Sequence, residues 1–359
     1  MSCKKCVLTE HFPNIKIDEM GICNYCKTYD HFKNRIEDVE TNHKLFLKRI
    51  EQIKGKNEYD CLVGISGGKD SSYILDRLKN HYKLNVLGYT FDNGYMTNYA
   101  KDNIKTILEK IDVDYFTYKP NWDFQKTFYK KMLELTGIPC KACSLGMYGT
   151  SFKFAFEKNI PLVMHGRSPA QMFRELTSES TDPFVPFIQH NLTEYNKEKQ
   201  IQTLIMVLEK IVGLFTKYSA DPSFINEVKT KFFPDVKKVM VAEQVPEFLG
   251  YFIYHHYDEN KIKDYLEKNL DWKRMEKDRL LSHGDCYIHD AVEYLRLKNH
   301  GYTMGVPEFS VQIRQGKIKK EEALKLIEKE KREVVWPEES MEILCKTLDL
   351  NCKKFKKSG

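Results

Sequence analysis

The run Ser66-Gly67-Gly68-Lys69-Asp70-Ser71 constrains this chain more than any other feature, because an apolar stretch at 59–65 precedes it and a helical pattern follows. Strand, tight turn and helix in that order make a cradle for an anion. Two glycines let the backbone turn sharply and aim successive N–H groups at one ligand, while the helix N-terminus adds its positive end. Lys69 supplies a point charge, and Ser66 and Ser71 supply hydroxyl donors. The spacing is neither the G-x-G-x-x-G of dinucleotide sites nor the G-x-x-x-x-G-K-[ST] of the common triphosphate loop.

Around this loop, strand and helix patterns alternate. Strands are expected at 59–65, 84–91, 113–118 and 161–165, with helices at 71–80, 98–110, 123–136 and 145–158 between them. Such alternation predicts an α/β fold with a parallel sheet covered on both faces, whose ligands lie beyond the carboxyl ends of the strands. Candidate residues fall on those ends. Asp92-Asn93-Gly94 closes the second strand, and Asp92 could orient the loop or help hold Mg²⁺ on phosphates; a simple turn is the structural alternative. His165-Gly166-Arg167 closes the last: Gly166 permits close approach, Arg167 can clamp a phosphate or carboxylate, and His165 can act as a local hydrogen-bonding group.

Six of the ten cysteines fall in three C-x-x-C pairs. Cys3, Cys6, Cys23 and Cys26 form C-x2-C-x16-C-x2-C, a set suited to tetrahedral zinc and less to an iron–sulfur cluster. The segment between the pairs has too few apolar residues for a core of its own, so metal would supply its folding energy. A third pair, Cys140 and Cys143, cannot close a site alone. Its expected third ligand is Cys286, in the turn Ser282-His283-Gly284-Asp285-Cys286; three thiolates with an open position suit a [4Fe–4S] cluster, with zinc as the other candidate. Cys61 reads as core packing inside the first strand, and Cys345 and Cys352 stand apart from these sets.

The remaining organisation follows from patterning. We expect a zinc knuckle at 1–28, a helical brace at 29–57, a nucleotide-binding domain at 58–180 and a mainly helical substrate or partner domain at 181–359, with a loop around Pro183 and Pro186. Residues 232–249 could form strands or a lid. The formal charge of +6 favours phosphorylated partners only mildly, and the lysines at 353, 354, 356 and 357 read as a solvated end. No apolar run is long enough to span a bilayer and the first residues lack a signal peptide's apolar core, so a cytoplasmic protein in a reducing compartment is expected.

The six-residue loop matches the S-G-G-x-D-S signature and resembles the PP-loop, or N-type, ATP pyrophosphatases, which cleave ATP between its α and β phosphates. This resemblance implies an ATP-binding site made by Gly64, Ile65, Ser66, Gly67, Gly68, Lys69, Asp70, Ser71, Thr90, Phe91, Asp92 and Gly166, with Asp70 near Mg²⁺ and the strand-end residues bordering adenine. The Cys140/Cys143/Cys286 set resembles that of the cluster-bearing branch that thiolates tRNA. Across most of its length the chain also resembles the N-acetyl sugar amidotransferases of surface-polysaccharide and pseudaminic-acid pathways. The residues that carry this are the four-cysteine knuckle, the loop, the Cys140/Cys143 pair, and Asp285-Cys286, His289-Asp290-Ala291, Tyr294-Leu295, Gly301-Tyr302, Ser310, Ile313-Arg314-Gln315-Gly316 and Glu321-Glu322-Ala323-Leu324. The segment Gly166-Arg167-Ser168-Pro169-Ala170-Gln171 departs from that branch by lacking an acidic Gly-Glu-type run.

That branch implies adenylylation of the acetamido carbonyl of an N-acetyl or nucleotide-linked sugar and its replacement by ammonia-derived nitrogen. Lys69, Asp70 and Arg167 are then the catalytic candidates, Arg174 and Arg314 weaker contacts for substrate charge, and separate glutaminase and cyclase-like subunits the ammonia source. Thiolation of tRNA is the alternative. It lacks a dense basic stripe with interleaved aromatics to support it.

Overall fold

The computed structural model describes residues 1–177, 180, 185–192, 196–217, 221–274 and 284–356. Ser282, His283, Pro183, Lys357 and the start of the domain expected at 181 lie outside the described residues. At the centre is a five-stranded parallel sheet formed by β1 (Cys61–Gly64), β2 (Val86–Phe91), β3 (Asp114–Tyr118), β4 (Leu162–His165) and β5 (Glu247–Gly250), in the order β3-β2-β1-β4-β5. Cys61 sits opposite Val86 on one side and Leu162 on the other, so β2 and β4 run in step with β1, the strand that leads into the loop. The parallel α/β expectation holds.

Side-chain alternation explains why both faces are covered. Leu62, Leu87, Tyr89, Val163 and Phe248 enter one apolar core, whereas Cys61, Val63, Val86, Leu162 and Leu249 enter the other. The first core is closed by α5 (Trp122–Thr136) and α6 (Cys140–Glu157), and the second by α3 (Lys69–Asp76) and α4 (Asn98–Lys110). Cys61 is buried here as the sequence implied.

Several boundaries differ from expectation for identifiable reasons. The brace at 29–57 is two helices, α1 (Asn24–Glu37) and α2 (Val39–Ile53), because Asp38 leaves the helix and caps the second by accepting the Thr41 N–H. The helix after the loop continues past Asp76 as a π-helical turn, Arg77–His81. Helix α6 starts at Cys140, so the Cys140/Cys143 pair occupies its first turn instead of the loop before it. The ambiguous 232–249 segment supplies the edge strand β5, paired in parallel with β4 from Leu162↔Glu247 to His165↔Gly250. The sheet thus draws its fifth strand from beyond position 180.

The first residues pack as a separate small core. Cys3, Cys6, Cys23 and Cys26 are buried with Phe12 and Tyr25 against Val306 and Phe309 of the helix Gly305–Arg314 and Ile327 of the helix Lys320–Glu333. Cys345 and Cys352 are joined by a disulfide, which ties the end of the helix Glu338–Thr347 to the short turn after it. Among the described residues, no helix is long and apolar enough to cross a membrane.

Candidate active site

The loop is held in a conformation that only its glycine allows. Gly67 has φ +76°, and a Cβ there would lie 2.2 Å from the carbonyl oxygen of Ala100. Its own carbonyl accepts a 3.0 Å hydrogen bond from the Trp272 indole. Ser71 Oγ accepts the Ser66 N–H and donates to the Gly68 carbonyl, while Ser66 Oγ accepts the Gly68 N–H. Gly68 heads α3 without a side-chain cap, which leaves the helix N-terminus open toward an anion. Thr90 Oγ1 donates to the Ile65 carbonyl at 2.6 Å and locks β2 to the loop entrance.

Lys69 and Asp70 form a 3.2 Å ion pair in largely buried surroundings. Burial works against the lysine's charge, but the carboxylates of Asp70 and Glu259 outweigh it and raise the lysine above its ordinary range. Burial likewise raises Asp70, with Lys69 only partly offsetting it. Asp70 Oδ1 is buried with no hydrogen-bond partner among the described residues. A buried carboxylate oxygen left in this state fits a cation such as Mg²⁺ on a bound phosphate.

The loop opens into a cavity of about 530 Å³ at the carboxyl end of the sheet. Gly64, Ile65, Ser66, Gly68, Lys69, Asp70, Ser71, Thr90, Phe91, Gly166 and Arg167 all line it. Gly67 stands behind, packed on Ala100. Asp92 is set apart: it accepts the Gly94 N–H at 2.9 Å, lies 3.9 Å from Lys119, and lines a neighbouring depression with Lys101 and Thr117. Gly166 lies close against α3, where a Cβ would meet the Ile74 side chain at 2.9 Å. Arg167 lies over the Tyr148 ring at 4.5 Å. His165 is buried, and that burial, with Arg167 beside it, lowers it to about 3, so it is a neutral group at physiological pH.

Cys140, Cys143 and Cys286 line this same cavity. Residue 286 is brought there by backbone pairing, since Cys286 bridges Met96, Thr97 N–H donates to the Asp285 carbonyl and Tyr287 N–H donates to that of Tyr95. Asn93 donates to Cys143 Sγ at 3.6 Å. Burial pushes Cys140 up to about 11 and Cys143 to about 12, and raises Cys286 further. Among the described residues the four knuckle cysteines are the one group whose ligand atoms all lie within 4.8 Å of one another. Cys140, Cys143 and Cys286 do not form such a group, although all three line the one cavity.

At the knuckle, sulfurs lie 3.9 Å apart for Cys3 and Cys26 and 3.8 Å for Cys6 and Cys23. A tetrahedron with zinc–sulfur bonds of about 2.3 Å has an edge near 3.8 Å, so this set fits zinc closely. Arg314, expected to meet substrate charge, is instead buried against the knuckle: its Nε points at Cys26 Sγ at 3.4 Å and Nη2 at Cys6 Sγ at 3.8 Å. A guanidinium there offsets the negative charge of metal-bound thiolates. Arg174 does reach the cavity, where it pairs with Glu308 at 3.1 Å.

Other lining residues gave no sequence signal. Tyr257, Glu259, Lys263, Trp272, Glu293 and Arg296 are not singled out as site residues by the sequence, and only folding back over the sheet brings them to the loop.

No protein-family model matches the chain. A search of curated proteins matches it, at 30% identity over 145 residues, to an uncharacterized protein of Methanocaldococcus jannaschii; the match covers 40% of this chain and half of that protein. Among solved structures, the U34-tRNA thiolase NcsA of Methanococcus maripaludis with its [4Fe-4S] cluster aligns over 91% of this chain and 88% of its own, at 15% identity and a TM-score of 0.34. An NH3-dependent NAD synthetase from Campylobacter jejuni aligns over 59% of this chain and 99% of its own, at 15% identity and a TM-score of 0.30. An NMN synthetase of Francisella tularensis aligns over 68% and 99%, at 8% identity and a TM-score of 0.28. These three TM-scores lie below 0.5, and the function of the chain is argued from its site.

Proposed function

We propose that this chain is a PP-loop ATP pyrophosphatase that adenylylates a carbonyl oxygen of a small acceptor and then replaces that oxygen. The observation that carries this reading is the single cavity shared by the uncapped loop, the orphaned Asp70 oxygen and the guanidinium groups of Arg167, Arg174 and Arg296. The acceptor we favour is an N-acetyl sugar bearing negative charge. Its acetamido oxygen attacks the α-phosphorus of ATP and pyrophosphate leaves; ammonia then attacks the activated carbon, and AMP departs with the original oxygen. Loop N–H groups and Lys69 stabilise the charge building on pyrophosphate, Asp70 would hold a Mg²⁺ that would screen the same oxygens, and Arg167 meets the acceptor's charge. Ammonia would be delivered by separate glutaminase and cyclase-like subunits.

A second reading is thiolation of tRNA, which the position of Cys140, Cys143 and Cys286 in that cavity favours. There the trio would hold a [4Fe–4S] cluster whose open iron supplies a sulfur-binding position.

One experiment separates them. Anaerobically purified, metal-analysed protein is incubated with ATP, ammonium and a panel of N-acetyl sugars, and in parallel with ATP, a sulfur donor and bulk tRNA. Replacement of oxygen by NH lowers product mass by about one dalton, and replacement by sulfur raises it by about sixteen. AMP and pyrophosphate should appear in either case; ADP and orthophosphate alone would defeat the adenylylation mechanism.

A further inference from the structure

We infer that Lys263 is the second arm of a pyrophosphate clamp whose first arm is Lys69, and that Glu259 occupies the clamp when no phosphate is bound. This rests on the ATP-pyrophosphatase reading and extends it to residues outside the loop. Both ammonium groups converge on one carboxylate oxygen: Lys263 Nζ lies 3.0 Å and Lys69 Nζ 3.7 Å from Glu259 Oε1. Two cations aimed at a single anionic oxygen from different elements describe the recognition geometry of a phosphate. All three side chains line the cavity beside the open N-terminus of α3.

The burial pattern separates the roles. The Lys263 side chain is 11% exposed and that of Lys69 21%, whereas Glu259 is 47% exposed. A lysine drawn inward from a surface helix loses hydration and regains it only from an anion, while a half-exposed glutamate can swing into water at little cost. The helix that carries both, Glu259–Leu270, is fixed in place. Tyr265 donates to Asp76 of α3 at 2.7 Å, Trp272 just past its end binds the Gly67 carbonyl, and Lys273 and Asn103 exchange two hydrogen bonds. Lys263 is therefore held opposite the loop by packing that does not depend on ligand.

The test is calorimetric titration of the full chain with pyrophosphate and with AMP, both with Mg²⁺, for wild type, Lys69→Gln, Lys263→Gln and Glu259→Gln. Lys263→Gln should weaken pyrophosphate roughly tenfold or more, as for loss of a charge-assisted contact, and leave AMP unchanged. Glu259→Gln should tighten pyrophosphate, a gain that a poorly folded variant cannot produce. If Lys69→Gln weakens pyrophosphate while Lys263→Gln and Glu259→Gln match wild type, the clamp is refuted and the loop reading stands. If wild type fails to bind pyrophosphate at all, both are overturned.

Discussion

Lys69 and Gly67 divide the work of the loop between charge and backbone shape. Lys69→Ala should lower turnover by roughly 10²-fold or more, the usual loss when a preorganised donor to a charged transition state is removed; pyrophosphate release measures it. Gly67→Ala acts differently, because it forces a side chain into the left-handed region and onto the Ala100 carbonyl. We expect it to destabilise the fold by about 1–3 kcal/mol and to abolish ATP binding, seen as a lowered Tm that ATP no longer raises. Glu330 gives a pH prediction. Burial raises it to about 7, opposed by hydrogen bonds from Thr303 and Gly305 and reinforced by Glu293. The folded state therefore holds a proton that the unfolded chain releases near its ordinary value, so stability is full below that value and falls as pH rises through about 7. A Tm profile from pH 4 to 8 should show this decline, and Glu330→Gln should flatten it.

We predict that the knuckle draws its stability from metal. Its sulfurs stand at tetrahedral spacing, and it packs on the helices Gly305–Arg314 and Lys320–Glu333 through Phe12, Tyr25 and Phe309. Chelation should release about one zinc per chain, lower Tm, and increase hydrogen exchange first in residues 1–28 and then in the helix Gly305–Arg314. Unchanged exchange in that helix would show that the knuckle is merely appended. Arg314→Gln should weaken zinc retention roughly 10- to 100-fold, the range typical when a group supporting metal ligands is lost, measured by competition with a chromophoric chelator.

Across the whole molecule, the 284–287 segment ties a remote part of the chain to the mouth of the sheet through backbone hydrogen bonds at Tyr95, Met96 and Thr97. Cys286→Ser should accordingly leave the fold and Tm nearly intact, since the backbone pairing remains. It should remove whatever iron or zinc co-purifies beyond the knuckle's share, as read by metal analysis and the visible absorption spectrum. Much of this organisation could be read directly from residues. The loop, the parallel alternation and the knuckle announce themselves because each depends on local rules: glycine at a positive φ, short apolar runs buried on both faces between helical patterns, and short C-x-x-C spacing that one metal ion can span. Other features could not. The edge strand β5 is four residues long and follows a proline-broken stretch, and neither Lys263 nor Trp272 lies in a motif. Arg314 carried the same charge signal as Arg167, yet one is buried on thiols and the other faces the cavity. The chemistry this protein is equipped for can be read from contiguous residues, because phosphate cradles and metal knuckles are built from short segments. Which distant side chains complete the site emerges only from the folded chain, because convergence of helices and loops over a sheet edge is set by packing that no single segment encodes.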